Sequence, residues 1–443
     1  MYSFAIFLYM CAIGIAAIFN KRARMLAIGH RQAFTQLRRQ VKAGERYVWF
    51  HAASLGEFEQ GRPLMERLRR EYPEYKILLT FFSPSGYEVR KNYQGADVIC
   101  YLPLDLPSCV RLFFYFVKPE MAFFIKYEFW QNYLKACKKR GIPVYSVSSI
   151  FRPDQIFFRW YGRHGYAKVL DKVTWFFVQN EQSRELLATL GHTNVTVVGD
   201  TRFDRVIDIR NAARPLPIVE HFVDASSQIS TLNFWSSERH ESLLSNGRVA
   251  TKVSEANSQL FIAGSSWPPD EALFIPWFNA QPKGASKLII APHIISERHL
   301  ADIESQLERP FIRYSQASED NVAEADVLII DCFGLLSSIY RYATIAMIGG
   351  GFGVGIHNIA EAAVYGVPTI IGPNNANFRE ARYLLEAGGT FEVHDYNEFA
   401  ATAERLLTDA DALATAGQAA SQYIHGNAGA TDLVFRHVFK QTQ

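Results

Sequence analysis

The sequence predicts an α/β protein, in which two parallel-sheet domains follow an apolar N-terminal helix. Three observations predict it. From Tyr47 onward, short β-branched and aromatic runs alternate with helical patterns, the signature of parallel strands covered by helices on both faces. The alternation pauses in a polar stretch near residues 211–257 and then resumes, giving two halves of similar size. Ahead of both, Tyr2 to Phe19 is almost unbroken apolar.

A chain of 443 residues is too long for one core. With 49% hydrophobic and 20% charged residues it is a folding chain, not a disordered one. The formal net charge of +2 carries no argument about nucleic acid. Cys11, Cys100, Cys109, Cys137 and Cys332 are scattered without a C-x-x-C pair, which suits a reducing compartment and gives neither a disulfide framework nor a zinc site.

In chain order, residues 1–20 read as a membrane anchor. About 18 residues at ~1.5 Å each just span a hydrocarbon core. There is no basic segment ahead of them and no small-x-small cleavage pattern, as a signal peptide would need. Residues 21–46 are a basic juxtamembrane segment with Lys21, Arg22, Arg24, Arg31, Arg38 and Arg39, which puts the bulk of the protein on the cytoplasmic side as a single-pass protein. The competing reading is a buried helix of a soluble protein. Residues 47–210 form the first α/β domain, with strands at Val48–His51, Ile77–Phe81, Val98–Tyr101, Met121–Ile125, Val144–Ser148, Trp175–Val178 and Val195–Val198, and helices at Glu128–Arg140 and Glu181–Leu190. Residues 211–257 are a linker with a serine-rich polar insertion. Residues 258–443 form the second domain, with strands at Leu260–Ala263, Leu288–Ala291, Val327–Ile330, Ile345–Ile348 and Thr369–Ile371, and helices at Ser296–Glu308, Ile359–Tyr365 and Glu380–Ala387. Its last helix is a candidate to cross back to the first domain. Two domains of this kind facing a cleft make a common ligand site.

The stretch Val48 to Glu57 orders the first domain. A strand ends in small residues, Ala52, Ala53, Ser54 and Gly56, and Glu57 stands where the helix begins. In open α/β sheets this edge binds ligands, and a carboxylate there suits a general base. The plain alternative is a first-turn Glu favoured by the helix dipole. Glu128 follows Lys126-Tyr127 at a strand end, and Arg202 lies in the Gly199–Asp204 loop, where a cation stabilises a leaving phosphate or an acidic sugar. For both, the alternative is a surface salt bridge of little worth.

In the second domain, Gly349 to Glu361 runs from a strand through a glycine-rich loop towards a helix opening near Asn358. Such loops bind phosphate through backbone N–H groups. No G-K-[ST] closes it, so it is not a Walker loop. Glu361 is a candidate for a ribose hydroxyl, and a tight turn with a core-facing His357 is the alternative. Loops at Pro292-His293, at Asp331 to Leu336 with the Gly334 amide, and at Gly372 to Phe378 end on the same expected sheet edge. The stretches Arg111–Val117 and Phe151–Tyr166 interleave aromatics with cations, as at a membrane interface, on single-stranded nucleic acid, or in a core helix with snorkelling arginines.

Taken together, His51–Glu57, Tyr127-Glu128-Phe129-Trp130, Gly199–Asp204, Ala263-Gly264-Ser265-Ser266-Trp267, Gly349–Glu361 and Gly372–Phe378 resemble the membrane-anchored 3-deoxy-D-manno-octulosonic acid (Kdo) transferases of lipopolysaccharide synthesis. The resemblance covers nearly the whole chain after the anchor. It implies a GT-B architecture of two Rossmann-like domains, CMP-Kdo as donor, a lipid A precursor as acceptor, the inner membrane as location, and neither cofactor, metal nor nucleic acid. It implies Glu57 as general base, with Glu128 and Arg202 supporting the transition state. It further implies that Pro292, His293, Phe333, Gly334, Leu335, Asn358, Ile359, Ala360 and Glu361 hold CMP.

The chain departs from that family in several places. Arg202 stands where the family usually has Lys. Pro292-His293-Ile294-Ile295-Ser296-Glu297-Arg298 replaces P-R-H-P-E-R. Val354-Gly355-Ile356 precedes His357-Asn358 where Arg-Gly-Gly is common, and Asn358 to Glu361 keeps only the ends of N-P-L-E. The stretch 224–257 looks like an insertion. A UDP-sugar-dependent GT-B enzyme and a silent membrane-anchored binding protein are the rival readings.

Overall fold

Two helices, α1 of 18 residues and α2 of 20, precede the first strand, and the sheets follow from patterning alone. In a computed structural model, which describes residues 2–163, 165–224 and 259–439, the chain divides into two units: residues 1–205 with 427–443, and residues 206–426. The first carries β1 (Arg46–Ala52), β2 (Tyr75–Phe81), β3 (Val98–Tyr101), β4 (Pro119–Ile125), β5 (Val144–Ser149), β6 (Trp175–Val178) and β7 (Val195–Val197). The second carries β8 (Gln259–Ser266), β9 (Ser286–Pro292), β10 (Phe311–Arg313), β11 (Val327–Ile329), β12 (Ile345–Ile348), β13 (Thr369–Ile371) and β14 (Thr390–Glu392). Helices α1 (Tyr2–Phe19), α2 (Lys21–Gln40), α3 (Leu55–Glu71), α4 (Pro84–Arg90), α5 (Pro107–Phe116), α6 (Gln131–Lys139), α7 (Trp160–Arg163), α8 (Glu181–Ala188), α9 (Thr201–Ala212) and α10 (Pro217–Asp224) precede β8.

Both sheets are parallel throughout. Their orders are β3-β2-β1-β4-β5-β6-β7 and β10-β11-β9-β8-β12-β13-β14. The order reverses between β1 and β4 in the first unit and between β8 and β12 in the second, where the outer pair β10-β11 also stands out of sequence order. Such a reversal leaves a crevice outside the carboxyl ends of the two strands, because the loops leave in opposite directions.

The near-continuous apolar strands are buried on both faces, as parallel sheets require. Trp49, Leu78 and Phe124 point into one cluster, and Val48, Phe50, Leu79 and Phe123 into the other, by the two-residue period of a strand. The first cluster is closed by Ala33 and Leu37 of α2. The second is closed by Val434, Phe435, Val438 and Phe439, from the helix Ala430–Phe439 that the chain returns to unit 1. In unit 2, Phe274, Trp277 and Phe278 of the helix Pro268–Ala280 pack with Phe399 against β8, β9 and β12.

Several expectations shift. The segment expected as basic and juxtamembrane, residues 21–46, is mostly the helix α2, whose Gly29, His30, Ala33 and Leu37 are buried. Gly29 lies so close to the Tyr101 ring that an added Cβ would come within 2.3 Å of it, so only glycine lets α2 approach β3 there. The linker expected from residue 211 begins inside α9, and α10 opens on Pro217, whose missing N–H costs nothing at a first turn. The rest of the expected insertion lies outside the described residues. The short edge strands β10 and β14 were not among the expected strands. The aromatic-basic stretch splits. Phe151 is a core residue, Phe157 and Phe158 pack on the core, and Trp160 is 85% exposed.

Candidate active site

In unit 1, Glu57 and Glu128 follow β1 and β4, the two strands at the reversal. β1 ends at Ala52, and Ser54 in an extended conformation precedes α3. Glu57 therefore falls in the first helical turn, and its Oε2 accepts the Ala53 N–H at 2.5 Å. The side chain is almost wholly buried, at 7% exposure. Burial and, next, the charge of Glu128 raise its carboxyl to about 7, against the opposing pull of the Ala53 and Ser54 N–H groups and the Lys126 charge. A Cβ added at Gly56 would meet no atom of this chain, so packing does not demand a glycine beside Glu57.

Glu128 sits in the turn before α6, not in the helix as its pattern suggested. Its Oε2 lies 3.8 Å from His51 Nε2. The Trp130 indole N–H donates to that same nitrogen at 3.1 Å, which assigns the ring proton to Nδ1, beside the Thr80 carbonyl and hydroxyl oxygens. Lys126, just after β4, holds a left-handed φ of 59°. Its N–H donates to the Val147 carbonyl at 2.8 Å, and the Ser149 and Ser146 hydroxyls donate to its own carbonyl at 2.7 and 3.0 Å. Ser148 (φ 52°) and Ser265 (φ 53°) share this conformation at the ends of β5 and β8. Each costs about 1–2 kcal/mol and persists because its surroundings fix it.

Arg202 opens α9. Its backbone N–H, Nε and Nη2 all donate to Asp200, at 3.0, 3.1 and 2.8 Å. Asp200 is 5% exposed and also accepts from Gln60 at 2.9 Å and Gln179 at 3.0 Å. Burial alone would raise the Asp200 carboxyl; the Arg202 guanidinium prevails and holds it below the usual range. The pair is therefore not a surface salt bridge. Gln60 stands one helical turn beyond Glu57, so this network ties Arg202 to the helix that carries Glu57. The structure thus brings Glu57, Glu128 and Arg202 to one edge of the first sheet.

In unit 2, Asp270 joins the two strands at the reversal. It accepts the Trp267 N–H at 2.9 Å, after β8, and the Gly350 N–H at 2.8 Å, after β12. Above it the rings of Trp267 and His293 stack at 4.8 Å, and those of His293 and His357 at 4.2 Å. The Trp267 indole N–H donates to His357 Nε2 at 3.1 Å. The stack is an aromatic wall. Asp270, Trp267 and His357 were not among the expected site residues. The signal for Asp270 was its place three residues after the helix start, the position of a capping carboxylate.

The glycine loop is more self-contained than its composition suggests. The N–H groups of Gly353 and Gly355 donate to the Gly350 carbonyl, that of His357 to Gly349, and that of Gly350 to Asp270. Those four amides are committed to the fold. Gly351 packs backbone to backbone on Gly372, where an added Cβ would come within 2.5 Å of the Gly372 nitrogen. The helix expected to open near Asn358 is the short Ala360–Ala363. Asn358 donates to Glu361 Oε1 at 2.9 Å, while Ile359 and Ala360 are buried. Gly334, at φ 92°, precedes another four-residue helix, beside Phe333, which is 81% exposed, and Leu335. Pro292 is buried as the last residue of β9, with His293 exposed beyond it. The divergent loop after them is anchored by His299, whose two ring nitrogens lie 2.9 Å from the Ile294 carbonyl and from Glu271 Oε2. The expected residues of this unit therefore lie at the carboxyl ends of β9, β11 and β12.

Comparison with known proteins gives a consistent picture. Residues 27–205 match the family model described as 3-deoxy-D-manno-octulosonic-acid transferase (kdotransferase). The chain is 26% identical to the 3-deoxy-D-manno-octulosonic acid transferase of Aquifex aeolicus, over 82% of this chain and 86% of that one. It is 26% identical to that of Haemophilus influenzae, over 86% and 84%. Among solved structures, UDP-GlcNAc 2-epimerase from Neisseria meningitidis bound to UDP-GlcNAc is similar with a TM-score of 0.56 at 14% identity, covering 89% of this chain and 100% of that one. MurG from Acinetobacter baumannii is similar with a TM-score of 0.52 at 12% identity, covering 89% and 99%. These two show the fold alone.

Proposed function

We propose that this glycosyltransferase of GT-B architecture is a Kdo transferase that moves Kdo from CMP-Kdo to a lipid A precursor with inversion at the anomeric carbon. The observation that carries the reading is Glu57: a buried carboxyl raised to about 7, at the reversal of the first sheet, beside a second carboxylate.

In the proposed reaction an acceptor hydroxyl attacks the anomeric carbon of Kdo. The bond from that carbon to the phosphate oxygen breaks, its electron pair leaves with CMP, and the hydroxyl proton passes to Glu57. A base poised near the working pH accepts that proton without being permanently protonated. Glu128 is the partner that keeps Glu57 basic. Arg202, fixed by Asp200 at the same sheet edge as Glu57, is the cation assigned to supporting the transition state. Unit 2 takes the donor: the ring wall of Trp267, His293 and His357 suits the base or sugar, and the amides of Gly334 and Asn358, which are not among those committed to the glycine loop, suit the phosphate. Direct attack by the acceptor inverts the centre. Amides of unit 2 meet the charge on the phosphate, so the proposed reaction uses no metal, and dialysis against a chelator should leave its rate unchanged. An amphiphilic acceptor explains the apolar α1, which keeps the enzyme at the inner membrane with both units on the cytoplasmic side.

Mass analysis of the product made with CMP-Kdo and a defined lipid A precursor tests the proposal. Addition of Kdo to the acceptor is expected. Transfer solely from UDP-sugars would overturn the donor, and no transfer from any sugar nucleotide would leave a binding protein.

A further inference from the structure

We infer that α1 lies in one leaflet of the membrane, clamped lengthwise to unit 1, and does not cross the bilayer. The inference rests on the reading that the enzyme works at a membrane, and it replaces the single-pass anchor expected from hydropathy.

Both ends of α1 are tied to the same unit. At its start, the Tyr2 hydroxyl donates to Asp105 Oδ2 at 2.7 Å, and Asp105 is 1% exposed. Asp105 also accepts the N–H groups of Asn132 and Tyr133 at 3.0 Å each, so it is part of the start of α6. Ser3 adds a contact of 3.3 Å to the Asn132 side chain. Midway, Tyr9 stacks on Phe82 at 6.3 Å. At its end, Asn20 caps α2 by accepting the N–H groups of Arg22 and Ala23, and the Arg24 guanidinium donates to the last carbonyls of α1, those of Ala17 and Ile18, at 3.0 Å each. A helix of 18 residues is ~27 Å long. Were it to cross a hydrocarbon core of about 30 Å, Tyr2 would stand on the far side from Asp105. The two placements exclude each other.

The two faces of α1 agree with this. Tyr2, Ser3, Ile6, Met10, Ile13 and Ala17 are half-buried at spacings of one, three and four residues, the stripe that a helix turns towards one neighbour. The other face bares Phe4 (64%), Ile15 (65%), Ile18 (65%) and Phe19 (86%), with no charge along the helix. Directly beyond it Lys21, Arg22 and Arg24 are exposed, at the height where anionic headgroups border the acyl region. An apolar face with cations at its end fits a lipid leaflet better than a second copy of the same cationic chain.

The experiment uses the full chain with one protease-sensitive tag ahead of residue 1 and another after residue 443, in inside-out vesicles of bacterial inner membrane. We expect added protease to remove both tags without detergent. An N-terminal tag that survives until detergent is added, while the C-terminal tag is cut, would overturn the inference. A cysteine pair made by Ser3→Cys and Asn132→Cys should cross-link in the same vesicles, and the single variants should not. Loss of the protein from the vesicle pellet, with self-association in buffer, would overturn both this placement and the membrane reading. Absence of Kdo transfer from vesicles that pass the tag test would sink the proposed reaction and leave the placement of α1 standing.

Discussion

The environment that raises the Glu57 carboxyl weakens the fold. Its carboxyl lies near 7 in the folded chain and near the ordinary value of 4.5 when unfolded. The unfolded chain therefore loses its proton first as pH rises. Stability contributed at this position declines between about pH 4.5 and 7 and stays low above it. The difference corresponds to about 3 kcal/mol at most. Glu57→Gln should remove the penalty while keeping an oxygen for the Ala53 N–H. Denaturant titration at pH 8 should show the variant more stable than the parent, and the gain should vanish near pH 4.5. The same variant should transfer sugar about 10²–10⁴-fold more slowly. Gly56→Ala offers a second separation of stability from activity. It should stabilise α3 by roughly 0.5–1 kcal/mol, because nothing in the chain blocks the added methyl group. If the acceptor approaches Glu57 there, its KM should rise while kcat holds; an unchanged KM would place the acceptor elsewhere.

Among the elements, the glycine loop and α1 carry the clearest expectations. Gly351→Ala should destabilise unit 2 by about 1–3 kcal/mol, since its Cβ collides with the Gly372 backbone. Gly353→Ala, which meets nothing, should be close to neutral, and denaturant melts of the pair check both. Removing residues 1–20 should release the protein from membranes and also lower kcat in detergent. Tyr9 stacks on Phe82, Phe82 on Trp130 at 4.8 Å, and Trp130 holds His51 beside Glu128. Retained membrane binding would shift the anchoring role to the exposed Trp160 and Tyr161 surface.

The same elements show what could be read in advance. The strands were legible because Val48–His51 or Ile345–Ile348 are apolar on both faces, which only a buried strand explains. Glu57 was legible because its strand-to-helix junction is local. The ring stack of Trp267, His293 and His357 was not, since its members are tens of residues apart and meet only through the order of β8, β9 and β12. Lys126, Ser148 and Ser265 were hidden for a different reason: no residue type advertises a left-handed backbone except glycine and, less often, Asn or Asp. The helix α2 was hidden by its own arginines, although Gly29, Ala33 and Leu37 mark its inward stripe.

At the scale of the whole molecule, the chain passes from unit 1 to unit 2 within α9 and returns after Gly426. Residues 430–439 thus pack into the first unit's core, although they come late in the sequence. A chain ending at residue 426 should lose the four buried side chains Val434, Phe435, Val438 and Phe439. At about 2–5 kcal/mol for each such loss, unit 1 should fail to fold while unit 2 keeps its cooperative melt. Calorimetry checks this, and a single unchanged transition would refute it.

The most direct test of the account is the pH dependence of kcat/KM for Kdo transfer, measured from CMP-Kdo to a lipid A precursor with the parent chain and with Glu57→Gln. The account predicts a parent rate that climbs with pH and levels off above about 7, and a variant that is about 10²–10⁴-fold slower with no such climb. A parent profile that is flat through this range, or a variant that keeps the parent's rate, would contradict it.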